Sequence, residues 1–209
     1  MFSLHFDGLP QSERDEALSL QRNVASLSSV CDSFAAAVEL FEHCSNPSLQ
    51  SQANPNRIDV GKFNLHKNWR LIAARSGAIS IYEFYQITQG INASIPKCPT
   101  LEPYVDAVAR KKSASIFAES FPRFADLRHF AAHGAEMTNN HQKAMQHALK
   151  PFGSTFVIMN CSIIENQFSI TSNGVVLGYS VNKESANKLK AALDAYLEAL
   201  RPLQDFRQK

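Results

Sequence analysis

The stretch ALSLQRNVASLSSVCDSFAAAVELF, residues 17–41, decides the fold class, because its apolar residues recur every three or four positions without a break. Since 3.6 residues complete one helical turn, this spacing places them along one side of an α-helix. The apolar positions are Ala17, Leu20, Val24, Leu27, Cys31, Phe34, Val38 and Phe41. The pattern predicts an amphipathic helix of about 30 residues that packs into a helical bundle.

Three further helices are predicted before residue 150. A polar, proline-containing stretch over 45–56 indicates a loop, and a mostly apolar second helix follows over roughly 63–92. Its aromatic residues are interpreted as core residues, namely Trp69, Tyr82, Phe84 and Tyr85. After a proline-rich break, Thr100 is expected to cap a third helix that ends near Phe121. A fourth helix begins after Pro122 and bends or ends near Asn139.

The apolar period changes from helical to two after Pro151. Residues 155–163 are rich in β-formers, and the apolar residues from Val175 to Val181 alternate with other residues after the turn pair Asn173-Gly174. We therefore predict a three-stranded antiparallel ribbon over 154–181 and a C-terminal helix over 183–206. The fold class is mainly α, a helical bundle of about five helices with a small three-stranded antiparallel β-ribbon inserted before the C-terminal helix.

Composition narrows the domain organisation and the function classes. At 209 residues and 44% hydrophobic content the chain can bury a core as a single domain, 1–209, whose residues 12–150 form the bundle. A net charge of +2 excludes a general polyelectrolyte binder. The four cysteines lack metal-site spacing and indicate reduced thiols. Without a secretory leader or an apolar run of membrane-span length, we predict a cytoplasmic protein with no membrane partner and no cofactor.

One segment concentrates the residues that can do chemistry. DLRHFAAHGAE, residues 126–136, holds an arginine, two histidines and two carboxylates. Arg128 and His133 are five residues apart, so on a straight helix they point about 140° apart and cannot converge unless a second copy of the helix contributes. His129, His133 and Glu136 do share one helical stripe. The segment therefore supports two competing interpretations.

The spacing Arg128-x4-His133, with the polar His129 directly after the arginine, resembles the signature of the HEPN domains, the "higher eukaryotes and prokaryotes nucleotide-binding" families. The resemblance implies a homodimeric helical bundle whose two motifs face each other and, in many members, a metal-independent endoribonuclease that needs no cofactor. Carried over, Arg128 would hold the scissile phosphate of RNA, His133 would be the general acid or base, and His129 would be an accessory group. Histidine can exchange a proton near neutral pH, and a guanidinium offers paired donors to phosphate oxygens.

Other interpretations of the segment stay open at this point. His129, His133 and Glu136 could present two imidazoles and a carboxylate to a metal ion, although the glutamate that usually follows the first histidine of a zinc hydrolase is missing. The chain could instead be a non-catalytic HEPN-like or unrelated helical module that binds nucleotide, RNA or a protein partner such as an antitoxin. A purely structural oligomer is a further alternative.

Two features outside the segment bear on these alternatives. Arg75 lies among apolar residues and needs a carboxylate partner such as Glu83, or else provides a second phosphate contact beside Arg128. We treat Arg75 as an accessory residue together with His129 and Glu136. The region 110–150 also supplies a local basic patch, whose plainer interpretation is a solvated helix face. Its members are Arg110, Lys111, Lys112, Arg123, Arg128, Lys143 and Lys150.

Overall fold

The computed structural model describes residues 2–4, 8–46, 60–152 and 155–206. The helices in these ranges are α1 (Gln11–Ser45), α2 (Val60–Ser94), α3 (Ala107–Ser120), α4 (Phe124–Thr138), α5 (His141–His147) and α6 (Lys183–Leu200). The strands are β1 (Leu149–Phe152), β2 (Thr155–Val157), β3 (Ser162–Ile164), β4 (Gln167–Ser172) and β5 (Val175–Ser180). The mainly α fold class, with a three-stranded antiparallel ribbon before the C-terminal helix, is confirmed.

The ribbon consists of strands β3, β4 and β5 in that order, and both pairs are antiparallel. Its tight turn is the predicted one, because Asn173 and Gly174 both have positive φ angles, 50° and 76°. Two central residues in the left-handed region form the turn that suits the twist of a hairpin. The sequence analysis missed β1, which pairs with β2 in a separate two-stranded sheet and begins inside the range assigned to the bundle.

By internal contacts the chain forms two compact units. The first unit comprises Met1–Asp32, Glu83–Pro122 and Asn187–Lys209, and the second comprises Ser33–Tyr82 and Arg123–Ala186. Helices α1 and α2 each contribute one part to either unit. The organisation as one domain stays a prediction.

The predicted apolar stripe of α1 is buried along its whole length. All eight of its residues are at most 7% exposed. By length and composition alone, α1 is also long and apolar enough to cross a membrane. The sequence analysis did not anticipate this property. A buried core helix can have the same length and apolar composition. The cytoplasmic location and the absence of a membrane partner stay predictions.

In the first unit, aromatic packing and side-chain hydrogen bonds hold the helices together. Phe84 of α2 stacks on Phe117 of α3 with ring centroids 5.3 Å apart. The Tyr196 hydroxyl donates to Asn92 Oδ1 at 2.8 Å, and the Ser113 hydroxyl donates to the Ala192 carbonyl at 2.7 Å. These bonds satisfy polar groups that would otherwise be costly to bury.

The cap predicted for α3 was wrong. Asp106, not Thr100, caps this helix by accepting hydrogen bonds from the backbone of Val108 and Ala109. Thr100 instead donates its hydroxyl to Glu13 at 2.8 Å. Two 3-10 turns, each with a proline near its start, occupy part of the intervening chain and delay the α-helix.

In the second unit, one tyrosine joins the ribbon to α2. The Tyr179 hydroxyl of β5 donates to the Ala74 carbonyl at 2.6 Å, and its ring lies 6.1 Å from that of Phe34. Gly77 leaves the space for this approach, because a β-carbon there would collide with the Tyr179 hydroxyl and lie 3.2 Å from Phe34. A glycine in α2 therefore allows close packing of the strand and of α1.

The core position predicted for Trp69 was wrong. Leu65, Trp69 and Ile72 are 52%, 43% and 54% exposed. Their spacings of four and three place them on one face of α2, and its buried face carries the small residues Ala73, Ala74 and Gly77 instead. Phe84 is buried as predicted, and Tyr82 and Tyr85 are half-buried.

Candidate functional site

The candidate segment, residues 126–136, lies on α4, which does not run straight. His133 has φ −122° and ψ 18°, outside the helical region, so the helix kinks at the candidate catalytic histidine. The sequence analysis expected this helix to bend or end near Asn139, and it does end at Thr138, but the kink at His133 was not predicted. Because of this kink, the angle between Arg128 and His133 calculated for a straight helix does not apply to the real segment.

The chain just before β3 packs against the kink. Asn160 Nδ2 donates to the Gly134 carbonyl at 2.9 Å, and Cys161 Sγ donates to the Phe130 carbonyl at 3.3 Å. A β-carbon on Gly134 would lie 2.5 Å from Asn160 Oδ1 and 3.3 Å from Cys161 Sγ, so a larger residue here would force the Asn160 side chain to shift. Burial raises the pKa of the Cys161 thiol, and the nearby charge of Arg75 opposes part of this rise. Because its pKa is raised, the thiol keeps its proton and can donate the hydrogen bond.

Asn160 and Cys161 were missed by the sequence analysis, which assigned no role in the site to the ribbon. The signal that could have found them is Gly134, a helix-breaking residue directly after His133. A glycine inside a helix indicates a close neighbour or a kink, and here it indicates both. Which segment would be that neighbour could not be read from the sequence.

Three of the predicted site residues come together at the surface of α4. His133 Nδ1 lies 3.4 Å from Glu136 Oε1, and the rings of His129 and His133 are 5.4 Å apart between centroids. The side chains of His133 and Glu136 are 40% and 74% exposed. With Nδ1 facing a carboxylate, the other ring nitrogen of His133 can exchange a proton with a bound molecule.

Arg128 belongs to a different contact. Its guanidinium carbon lies 5.2 Å from the centroid of the Tyr82 ring, a cation–π geometry, and the Tyr82 ring also contacts Phe124. Among the described contacts none joins Arg128 to His133. The described contacts thus engage the two members of the motif with different partners, Arg128 with Tyr82 and His133 with Glu136.

Arg75 is half-buried on α2. Its Nε atom is buried without a hydrogen-bond partner, and no described ion pair joins Arg75 to a carboxylate. The carboxylate partner expected from the sequence is thus not found in the described part of the chain. The arginine lies near Cys161 instead: burial raises the pKa of this thiol, and the charge of Arg75 and a side-chain hydrogen bond with it offset part of the rise.

The metal interpretation finds no support in the geometry. Within residues 2–4, 8–46, 60–152 and 155–206, no group of three His, Cys, Asp or Glu side chains is arranged to hold a metal ion. This includes His129, His133 and Glu136. Their mutual contacts are a 3.4 Å approach of His133 to Glu136 and a ring contact between His129 and His133.

The predicted basic patch is divided between the two units. Arg110, Lys111 and Lys112 lie on α3 in the first unit, whereas Arg123, Arg128 and Lys150 belong to the second. Arg123 forms an ion pair with Asp126 at 2.8 Å. The side chain of Lys143 lies outside the described residues.

Comparison with known proteins gives no relative on which to build. No family model, no curated protein and no solved structure matches this chain. The HEPN resemblance therefore rests on the residues of the motif alone.

Proposed function

We propose that this protein is a HEPN-like, metal-independent endoribonuclease that cleaves RNA phosphodiester bonds at a composite site formed by two copies of the chain. The observation that carries the proposal is the surface cluster on the kinked helix, where His133 faces Glu136 at 3.4 Å beside His129. An exposed imidazole with a carboxylate on one nitrogen is a standard arrangement for proton transfer.

The scheme uses two copies because no described contact joins Arg128 to His133 within one chain. In the composite site, Arg128 of one chain binds the non-bridging oxygens of the scissile phosphate, while His133 of the other faces the ribose. A planar guanidinium suits this role, because its paired donors match phosphate geometry and stabilise the charge that builds in the transition state.

The reaction would proceed by transfer of the phosphoryl group to the ribose. His133 removes the proton of the 2′-hydroxyl, the 2′-oxygen bonds to phosphorus, and the bond from phosphorus to the 5′-oxygen breaks. The imidazolium of His129, which lies beside His133 on the same chain, returns a proton to that leaving oxygen. The products are a 2′,3′-cyclic phosphate and a 5′-hydroxyl, and no metal ion takes part.

Glu136 acts as a positioning residue in this scheme. Its carboxylate orients the His133 ring and stabilises the imidazolium that forms when His133 takes up a proton. A Glu136→Gln variant keeps a polar side chain of nearly the same size but removes the charge. We expect this variant to shift the alkaline or acidic limb of the pH–rate profile, which a merely structural role would leave unmoved.

The direct test uses purified protein, mixed single-stranded and structured RNA, and EDTA. We expect chelator-resistant cleavage that falls by about 100-fold or more in Arg128→Ala and in His133→Ala. Arg22→Ala and His141→Ala are matched controls, since both residues are exposed and lie outside the cluster. Intact RNA with wild-type protein, or equal cleavage by the Arg128 and His133 variants, would refute catalysis by this motif.

Mixing the two inactive variants tests whether the site is composite. If Arg128 and His133 act from different chains, half of the dimers in an equal mixture are mixed and each holds one intact site, restoring about a quarter of wild-type activity. A mixture as inactive as its components would contradict a composite site. Light scattering on the same samples reports whether dimers are present.

One observation favours the alternative, a module that binds RNA or a protein without cleavage. The Arg128 guanidinium lies against the Tyr82 ring and is half-buried, so it is already engaged within its own chain. Retention of intact RNA by wild type and equally by His133→Ala would support this alternative over catalysis.

A further inference from the structure

A cavity of about 480 Å³ lies in the second unit between α2 and the start of the ribbon. Helix α2 contributes Lys67, Asn68, Arg70 and Leu71 to its wall, and β3 contributes Ser162 and Ile163. The described lining carries two cationic side chains and no carboxylate. A concave site lined by one sign of charge concentrates ions of the opposite sign.

In the described part of the chain, the partners of Arg70 hold its side chain in place but do not neutralise its charge. Its guanidinium carbon lies 4.8 Å from the centroid of the Phe41 ring, and its Nη2 donates to the Glu165 carbonyl at 2.6 Å. Both partners are uncharged, and the Nε atom is buried with no hydrogen-bond partner. A half-buried guanidinium with no counter-charge among the described residues is costly to maintain, so an anion at this place would stabilise it.

Three more polar side chains around the cavity can donate hydrogen bonds. Lys67, Asn68 and Ser162 form no described side-chain hydrogen bond or ion pair, and Lys67 and Asn68 are exposed. Arg75 adds a positive charge close to Cys161, which also lines the cavity. An ammonium, a guanidinium, an amide and a hydroxyl together suit a group with several acceptor oxygens and more than one negative charge.

A phosphate group fits this set of donors better than a carboxylate, which has only two oxygens and a single charge. The cavity is larger than a phosphate ion, and Leu71 and Ile163 give it an apolar side. We propose that this cavity binds a small phosphorylated organic compound, with its phosphate between Lys67 and Arg70 and its organic part against Leu71 and Ile163. The proposal does not rest on the ribonuclease activity.

The test is calorimetric titration of the full chain with ribose 5-phosphate and, separately, with inorganic phosphate at constant ionic strength. Trp69, the one tryptophan of the sequence, lies between Asn68 and Arg70 and gives a second, fluorescence readout. We expect saturable binding of ribose 5-phosphate that is tighter than that of inorganic phosphate. Equal affinity for the two compounds would overturn the organic part of the proposal, and no binding of either would overturn all of it.

Two variants and a matched control locate the binding. We expect Lys67→Gln to weaken ribose 5-phosphate binding by about tenfold, since a charge-assisted hydrogen bond is lost. Arg70→Lys keeps the charge but loses the paired donors and should weaken binding similarly. Lys111→Gln, on an exposed lysine of the other unit, should bind like wild type. Unchanged binding in Lys67→Gln and Arg70→Lys, with unchanged thermal melts, would refute this location.

A competition experiment distinguishes a small phosphorylated compound from an RNA backbone as the ligand of the cavity. A short RNA with a 5′-hydroxyl end should not displace ribose 5-phosphate at comparable phosphate concentration. Displacement at lower concentration would assign the cavity to an RNA backbone and overturn the small-molecule proposal. Because no step measures cleavage, an inactive protein that still binds ribose 5-phosphate leaves this inference standing while the proposed function fails.

Discussion

The two halves of α2 both carry large apolar residues at helical spacing, but these residues have different surroundings. In the C-terminal half, 77–94, the large apolar residues Ile81, Phe84 and Ile91 are at most 1% exposed. In the N-terminal half, 64–76, Leu65, Trp69 and Ile72 are more than 40% exposed. Hydrophobic periodicity indicates which residues share a face of a helix, but it cannot indicate whether another element covers that face.

The polar atoms of the two halves also differ, in whether they have hydrogen-bond partners. In the C-terminal half, Thr88 and Asn92 accept hydrogen bonds from the Tyr196 hydroxyl. In the N-terminal half, His66 Nδ1, Arg70 Nε and Arg75 Nε are buried and have no hydrogen-bond partner. Unsatisfied buried groups are rare in proteins and are retained where function requires them. The C-terminal half of α2 is thus packed and hydrogen-bonded, whereas the N-terminal half keeps exposed apolar side chains and buried nitrogen atoms without a hydrogen-bond partner.

The largest effect is expected from a substitution in the buried C-terminal half of α2. Phe84→Ala removes a fully buried ring that stacks on Phe117, and we expect a loss of about 3–5 kcal/mol in the free energy of unfolding. Trp69→Ala is the matched change in the exposed half and should cost less than about 1 kcal/mol. Urea denaturation followed by circular dichroism measures both. Similar losses would mean that the two halves are equally buried in solution.

The next effect concerns the glycines of the same helix. Gly77→Ala places a β-carbon against the Tyr179 hydroxyl and the Phe34 ring, and we expect a loss of about 1–3 kcal/mol. Gly90→Ala has only Asn23 Nδ2 nearby, at 3.5 Å, and should stabilise the helix by about 0.5–1 kcal/mol. Thermal melts would reveal the opposite signs. A shift of the same sign in both variants would argue against the tight contact at Gly77.

A smaller effect comes from the hydrogen bonds of the C-terminal half. Tyr196→Phe keeps the ring and removes the hydroxyl that bonds Thr88 and Asn92, for which we expect a loss of about 1 kcal/mol. Tyr104→Phe, which changes an exposed hydroxyl, is the control and should be neutral. If both variants unfold at the same urea concentration as wild type, the hydroxyl of Tyr196 contributes nothing to stability.

The smallest effect is a loss of stability at alkaline pH, and it is absent at neutral pH. Cys98, just beyond the end of α2, is fully buried, and burial raises the pKa of its thiol from 9.0 to about 11. The folded state therefore holds this proton more tightly than the unfolded state, so the stability is complete below pH 9 and declines as the pH rises toward 11. Cys98→Ala should flatten this decline in urea titrations at pH 8, 9, 10 and 11. An unchanged slope would show that other groups cause it.

The parts of the fold that the sequence predicted depend on local patterns. The stripe from Ala17 to Phe41 is helical and buried as expected, because a period of 3.6 residues has one structural interpretation. The turn at Asn173-Gly174 is where it was expected, because two positive φ angles demand such residues. These inferences needed no knowledge of distant segments.

The remaining errors concern contacts between segments that are far apart in sequence. Trp69 is as apolar as Phe84, and only the surroundings of each distinguish their burial. The motif helix kinks where Asn160 and Cys161 bond its carbonyls, about 30 residues further along the chain. The composition of 126–136 identified a cluster of chemical groups, but its geometry depended on partners that no local pattern specifies.

The bonds from Asn160 and Cys161 to α4 limit how the candidate segment can be moved or shortened. A fragment that ends at residue 150 would retain all eleven residues of 126–136 and lose both donors that bind the kinked backbone. Grafting the segment onto another helical scaffold would have the same defect. The segment is thus not a portable module, and insertions or deletions at 158–161 would alter the candidate site as surely as changes within the motif.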